Sequence, residues 1–246
     1  MKVAKTTKAL CLVLAAGFAN AAPINYISNG GFESGLTSWF TSSTNSIVGS
    51  CDQGWVVGNS GSASGCTGIA PYNQFVNPQS GSAAAYNSFD GDGPQTIRLF
   101  QTFNYTAANA ASGAILDWYD AVGFGLGGNF PQARVFNVDV TINGQLFNVF
   151  SESFGNNGQG LFQTWQQTSL NLTDLFDNYG AGTHTVTLAF SNYVPQYFTG
   201  PGAFGLDNVR LLIDTASIQA VPEPATLSIL GLGLAGLAFS RRRIKA

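Results

Sequence analysis

The sequence predicts an all-β fold, a two-sheet sandwich of jelly-roll type, with one further segment at each end of the chain. Three observations point there. Only 9% of the 246 residues are charged, while glycine alone numbers 30 and aromatics reach 13%, a composition suited to turns and half-buried strands. Short runs of alternating apolar and polar residues recur between Gly/Ser/Asn clusters. Asn143-Gly144 separates two such runs, which is the strongest short-range hairpin signal.

In chain order the predicted strands are Ile24 to Ile27, Gly54 to Val57, Ser82 to Tyr86, Gln95 to Tyr105 and Gly113 to Tyr119, then Arg134 to Ile142, Gln145 to Ser151, Gln163 to Asn171, His184 to Ser191 and Gly202 to Leu212. Arg134 to Ile142 shows the reasoning. Val135, Asn137, Asp139 and Thr141 alternate with Phe136, Val138, Val140 and Ile142, so a mostly polar set faces one side and an apolar set the other. Only Thr173 to Asn178 reads as a helical turn. One domain suffices for the length. A split into two small β domains near Gly123 to Gly128 is the alternative, but each half would bury too little surface to stand alone.

The two ends differ from this body. Lys2, Lys5 and Lys8 precede an apolar run from Ala9 to Phe18, and Ala19-Asn20-Ala21 is a small-x-small cleavage site. That is the three-part form of a secretory signal peptide, residues 1–21. The run is too short for a lasting anchor, which needs about 20 residues. At the other end, Ala225 to Phe239 is uncharged and is followed by Arg241, Arg242, Arg243 and Lys245. Basic residues just past an apolar segment stay on the cytoplasmic side, which leaves the body outside. The apolar run is short for a stable transmembrane helix, which suits a temporary hold.

Pro222-Glu223-Pro224, then a short apolar helix, then an arginine cluster at the terminus, resembles the PEP-CTERM sorting signal of Gram-negative bacteria. The resemblance covers residues 221–246. It implies an exosortase as partner, a membrane cysteine protease that cuts near the Pro-Glu-Pro. It also implies export through the secretion machinery, transient anchoring in the inner membrane, delivery to the cell surface or extracellular matrix, and an association with exopolysaccharide and biofilm. The two prolines hold the chain extended and remove two N–H donors, which presents an accessible peptide at the membrane edge.

Without its ends the body, residues 22–220, keeps three basic residues (Arg98, Arg134 and Arg210) and twelve acids, a net charge of −9. Phosphate backbones would repel it, so nucleic acid is excluded as a partner. Cys11 leaves with the signal peptide, and Cys51 and Cys66 remain as the only pair. An oxidising compartment favours a disulfide between them, worth about 3 kcal/mol for a loop of that size. Two free thiols are the alternative.

A second resemblance lies in the first and last strands. Asn29-Gly30-Gly31-Phe32-Glu33-Ser34-Gly35 with Trp39 shortly after, and Phe204-Gly205-Leu206-Asp207-Asn208-Val209-Arg210-Leu211, are similar to the opening and closing of carbohydrate-binding-module-like, galactose-binding jelly rolls. In that group the two strands lie close together. The resemblance implies a structural calcium there, with Glu33 and Asp207 as ligands; solvated turn acids are the alternative.

Catalysis has little to work with, and a non-enzymatic protein is expected. His184 is the only histidine and has no nucleophile at a telling spacing. One histidine and two cysteines expected to pair cannot supply a zinc site. Asp117 and Asp120, three apart in a strand, are expected on opposite faces, against a cooperating glycosidase pair. Polysaccharide binding needs aromatic faces for sugar rings and polar side chains for hydroxyls. Trp55, Tyr193 and Tyr197 are the candidates, the core being the alternative destination of each.

Overall fold

The computed structural model describes residues 22–44, 53–60, 77–89, 94–107, 113–124, 134–154, 161–194 and 202–214. The signal segment, Cys51, Cys66, Tyr197 and the tail with Pro222, Glu223, Pro224 and its arginines lie outside them. Among the described residues no helix is long and apolar enough to cross a membrane. Residues Ala22–Ser217 form one compact unit.

Eleven strands are described: β1 (Ile24–Asn25), β2 (Phe40–Ser43), β3 (Gln53–Gly58), β4 (Ala84–Phe89), β5 (Gln95–Ala107), β6 (Gly113–Phe124), β7 (Arg134–Ile142), β8 (Gln145–Phe154), β9 (Leu161–Asn171), β10 (Gly182–Val194) and β11 (Gly202–Asp214). A single helical turn, α1 (Thr173–Asp177), links β9 to β10. They form two antiparallel sheets. The first runs β3-β4-β11-β6-β9, with β1 also pairing β11, and the second runs β2-β5-β10-β7-β8. This is the predicted jelly-roll sandwich.

Between the sheets the inward positions interdigitate aromatics. Phe136 stacks on Phe204 with centroids 5.8 Å apart, and Trp118 meets Phe150 and Phe190 edge-on. Each such pair adds roughly 0.5–1.5 kcal/mol beyond its buried area. In β7, and in β5 except at the part-buried Phe103, buried residues alternate with part-buried or exposed ones, which is the period-2 pattern of a strand with only one face on the core.

Asn143 and Gly144 both take positive φ, 51° and 86°, in the two-residue turn that joins β7 to β8. Both signs are what a type I′ hairpin requires, and Asn and Gly tolerate them. The predicted first strand is shorter than expected: only Ile24 and Asn25 pair, with Ile213 and Leu212. Its continuation turns into the Asn29–Ser38 loop. Strand β2 was not foreseen. Phe40-Thr41-Ser42-Ser43 is exposed almost throughout, so an edge strand with one partner leaves no apolar alternation to detect.

Candidate functional site: the outward face of the second sheet

The second sheet turns a polar, aromatic-edged face to solvent. Register sets its rows. Phe40, Phe100, Ala189, Asp139 and Asn148 lie side by side across the five strands, and Ser42, Arg98, Ser191, Asn137 and Ser151 form the next row. Beyond them Thr96, Tyr193, Val135 and Ser153 form a third. Directly opposed residues in antiparallel strands share a face, and the alternating core residues Leu99, Phe190 and Val138 fix which face this is.

The central strand β10 carries the small members of these rows. Ala189 and Ser191 are buried beneath their neighbours, although they point outward. They make a shallow floor flanked by long side chains. On one flank Phe40 stacks on Phe100 at 5.8 Å, and the Arg98 guanidinium lies over the Phe100 ring at 4.9 Å. Phe40 is 60% exposed and Tyr193 39%. On the other flank Asn148 Nδ2 donates to Asp139 Oδ1 at 2.9 Å. Further along, Thr102 and Thr187 hydroxyls bond at 2.8 Å, Thr106 and Thr183 at 2.9 Å, and Thr185 Oγ1 donates to Asn104 Oδ1. Apolar rings beside a field of hydroxyls and amides are the two chemistries that sugar recognition needs.

Of the expected sugar-binding residues, only Tyr193 is shown on this face. Trp55 is 3% exposed and belongs to the core cluster, so its indole has no face open for stacking and the expectation for it is corrected. Phe40, Phe100, Arg98 and Asp139 were not singled out in the sequence. The signal was present in part: Thr183, Thr185 and Thr187 alternate with apolar residues, and that pattern marks a solvated face.

Glu33 and Asp207 do come together, as parts of a clasp. The Gly30 carbonyl accepts from Val209 N–H at 3.0 Å, so the opening and closing motifs touch. A Cβ on Gly30 would lie 1.9 Å from the Val209 oxygen, which is why glycine stands there. Glu33 then accepts from Ser82 N–H, Ser82 Oγ and Ala83 N–H. Those bonds to Ser82 hold its carboxyl below the usual range. Asp207 Oδ2 accepts from Ser80 N–H and its Oδ1 from Asn208 N–H. Burial, opposed by those N–H donors and reinforced by the Glu33 charge, pushes Asp207 up to about 6. Asn208 Nδ2 also bonds Gln79 Oε1 and Ser80 Oγ. Together these pin residues 79–83 onto the first sheet. Among the described residues no group of three or more His, Cys, Asp or Glu comes together.

Asp117 and Asp120 face opposite ways, as their spacing predicts. Asp117 Oδ2 pairs with Arg210 Nη2 at 3.1 Å. Asp120 points inward and accepts from Trp118 Nε1 at 2.9 Å; burial pushes it up to about 6 against that bond, with Glu152 adding to the rise. Glu152 is itself raised by burial. His184 is a packing residue, between the rings of Tyr105 and Tyr179, with Nδ1 3.0 Å from Asn143 Nδ2 and Nε2 3.2 Å from the Gly180 carbonyl.

At the C-terminus, residues 220–243 match the family described as the PEP-CTERM protein-sorting motif. The chain carries a PEP-CTERM sorting motif. That motif implies export and exosortase-dependent sorting toward the surface. No curated protein matches the chain. Among solved structures, similarity in fold extends to the carbohydrate-binding module TmCBM61 with bound β-1,4-galactotriose, at 14% identity and a TM-score of 0.41, covering 76% of this chain and 97% of that one. A Stig cyclase from Fischerella sp. TAU gives 19% identity and 0.48, covering 80% and 100%. The K3 adhesin domain of Lys-gingipain from Porphyromonas gingivalis gives 15% and 0.44, covering 78% and 99%. A sugar-binding module, a cyclase and an adhesin domain share no activity, and none passes to this chain through them.

Proposed function

We propose that the PEP-CTERM protein is a non-enzymatic surface or matrix component that is held briefly at the inner membrane, processed by an exosortase, and then binds extracellular polysaccharide across the outward face of its second sheet. The observation that carries this reading is the shallow floor of Ala189 and Ser191 on β10, continued along that strand by Tyr193 and flanked by Phe40 and Phe100 on one side and Asn137, Asp139 and Asn148 on the other. Aromatic edges take the apolar faces of sugar rings, and the amides and carboxylate take their hydroxyls. A flat open face suits the side of a polymer chain better than a small free ligand. The body's charge of −9 favours neutral glycans over anionic ones.

The test is affinity electrophoresis of the exported protein through gels carrying neutral and acidic polysaccharides. Retardation by a neutral polymer, lost in Phe100→Ala and Tyr193→Ala, supports the reading. Unchanged mobility in every gel favours a purely structural or adhesive role. Release of reducing ends from any of these polymers would overturn the non-enzymatic part.

Calcium belongs to the same proposal. Glu33 and Asp207 supply carboxylate oxygens, and Asn208, Gln79 and Ser80 supply further neutral ones beside them, a donor set that suits a hard cation. The Glu33 charge helps to raise Asp207, and a cation relieves that repulsion. Added calcium is expected to raise the melting temperature modestly, and a chelator to lower it; identical curves in both would remove the ion from the proposal.

A further inference from the structure

A separate feature lies inside the sandwich. Near the ends where β4, β6, β8 and β10 finish, the inward rows change from apolar to polar. In the first sheet Asn87, Phe204, Val122 and Gln163 lie side by side. In the second, Ile97, Asn192, Phe136 and Glu152 do the same. The Phe136–Phe204 stack at 5.8 Å joins the two rows across the interior. Gln95, the first residue of β5, points inward one row further out than Ile97.

Three of these polar side chains are buried without the partners burial demands. Asn87 is 0% exposed, Asn192 1% and Gln95 1%. Neither Nδ2 nor Oδ1 of Asn87 has a hydrogen-bond partner, and the same holds for Asn192; Gln95 Nε2 also lacks one. Each such group costs roughly 1–3 kcal/mol when left unsatisfied. Trp55 Nε1 and Tyr105 Oη also lack a partner, but three carboxamides gathered at one end of the core is a placement that calls for a ligand.

We propose that this end of the interior is a second binding site, which takes one neutral hydroxylated ring: a monosaccharide or the terminal residue of a glycan chain. The chemistry selects that class. Each Asn offers both a donor and an acceptor, and a vicinal diol needs both. Phe136 and Phe204, stacked on each other, form the apolar wall beside the carboxamides. Arg134 is buried and inward at the start of β7, and the Asp120 and Glu152 carboxyls on facing strands outnumber it, which leaves no net positive charge to select an anion. The site shares no residue with the outward face of the second sheet, so it stands whether or not that face binds polymer.

The experiment is a thermal-shift titration of the exported protein with glucose, galactose and mannose, repeated with short neutral oligosaccharides of each. At least one sugar is expected to raise the melting temperature by about 3 °C near saturation. A shift with monosaccharides points to a free sugar, and one with oligosaccharides only points to a chain end. Asn192→Leu and Asn87→Leu are expected to abolish the shift while melting no lower than the parent without sugar, because an unpartnered carboxamide leaves the core. Phe100→Ala and Tyr193→Ala keep the shift and lose polymer retardation, which separates the two sites. Gln95→Met, which gives up only a 3.4 Å contact from Ser43, serves if the asparagine variants fail to fold. No shift with any sugar, a shift that survives these substitutions, or a crystal structure with water alone bridging the three carboxamides overturns the proposal.

Discussion

On the outward side of the first sheet, Ala84, Ala121 and Ala203 are all but fully buried, although nothing of the second sheet covers them. Trp165 lies over Gly205, its ring 2.8 Å from where a Cβ would be, and its Nε1 donates to the Asn77 carbonyl. Tyr86 packs against it, and residues 79–83 are tied down by Glu33, Asp207 and Asn208. On the outward side of the second sheet the equivalent positions hold Arg98, Phe100, Asn137, Asp139 and a series of threonines, and they remain in contact with solvent. Small outward residues let another part of the chain settle on a sheet, whereas long polar ones keep it open. One face was spent on stability and the other kept for contact.

That contrast can be broken most sharply on the covered side. Gly30→Ala drives a Cβ into the Val209 carbonyl, and backbone cannot step aside cheaply; a loss of about 3 kcal/mol or more is expected in chemical denaturation. Gly205→Val displaces the anchored Trp165 ring and should cost about 2 kcal/mol, with polysaccharide retardation intact in the folded fraction. If it lost retardation at unchanged stability, the roles of the two faces would be reversed.

The pH dependence comes next. Asp207 and Asp120 are both raised to about 6, so the folded state holds protons that the unfolded chain releases near 4. Their contribution is full below about 4 and is lost as pH rises through about 6, on the order of 3 kcal/mol each at most. Melting at pH 5 should therefore exceed melting at pH 8, and Asp120→Asn, which keeps an oxygen for Trp118, should roughly halve the difference, leaving the part due to Asp207. A flat wild-type profile would show that neither carboxyl is so shifted. The smallest effect is expected on the open face: Phe100→Ala and Tyr193→Ala change stability by roughly 0.5 kcal/mol or less while weakening polymer retardation. A large fall in melting temperature there would make that face structural after all.

Much of this fold is legible in local pattern. Arg134 to Ile142 was bounded to the residue, and Asn143-Gly144 announced its turn, because period and turn chemistry are properties of neighbours in sequence. The opposed directions of Asp117 and Asp120 followed from parity alone. The open face was only half legible. Threonine alternation in β10 showed that one side is wet, but the rows that bring Phe40, Phe100 and Asp139 together depend on register between strands far apart in the chain. Trp55 was misplaced for the same reason, since an aromatic in a short run is assigned to core or surface by what packs over it. The approach of Asp120 to Glu152 and the orphaned Asn87 and Asn192 arise across the sandwich, where no sequence spacing reaches.

The sorting motif begins six residues after β11 ends at Asp214, and β11 is an interior strand, laddered to β6 along most of its length and to β4 and β1 on its other side. On the proposed reading, while the chain is held through its tail and its second sheet grips a polymer, the pull enters the sandwich through β11. The load then falls on many backbone hydrogen bonds at once, in shear, rather than on one after another as it would if an edge strand were peeled away. The anchor point is therefore the part of the sandwich best placed to resist being pulled.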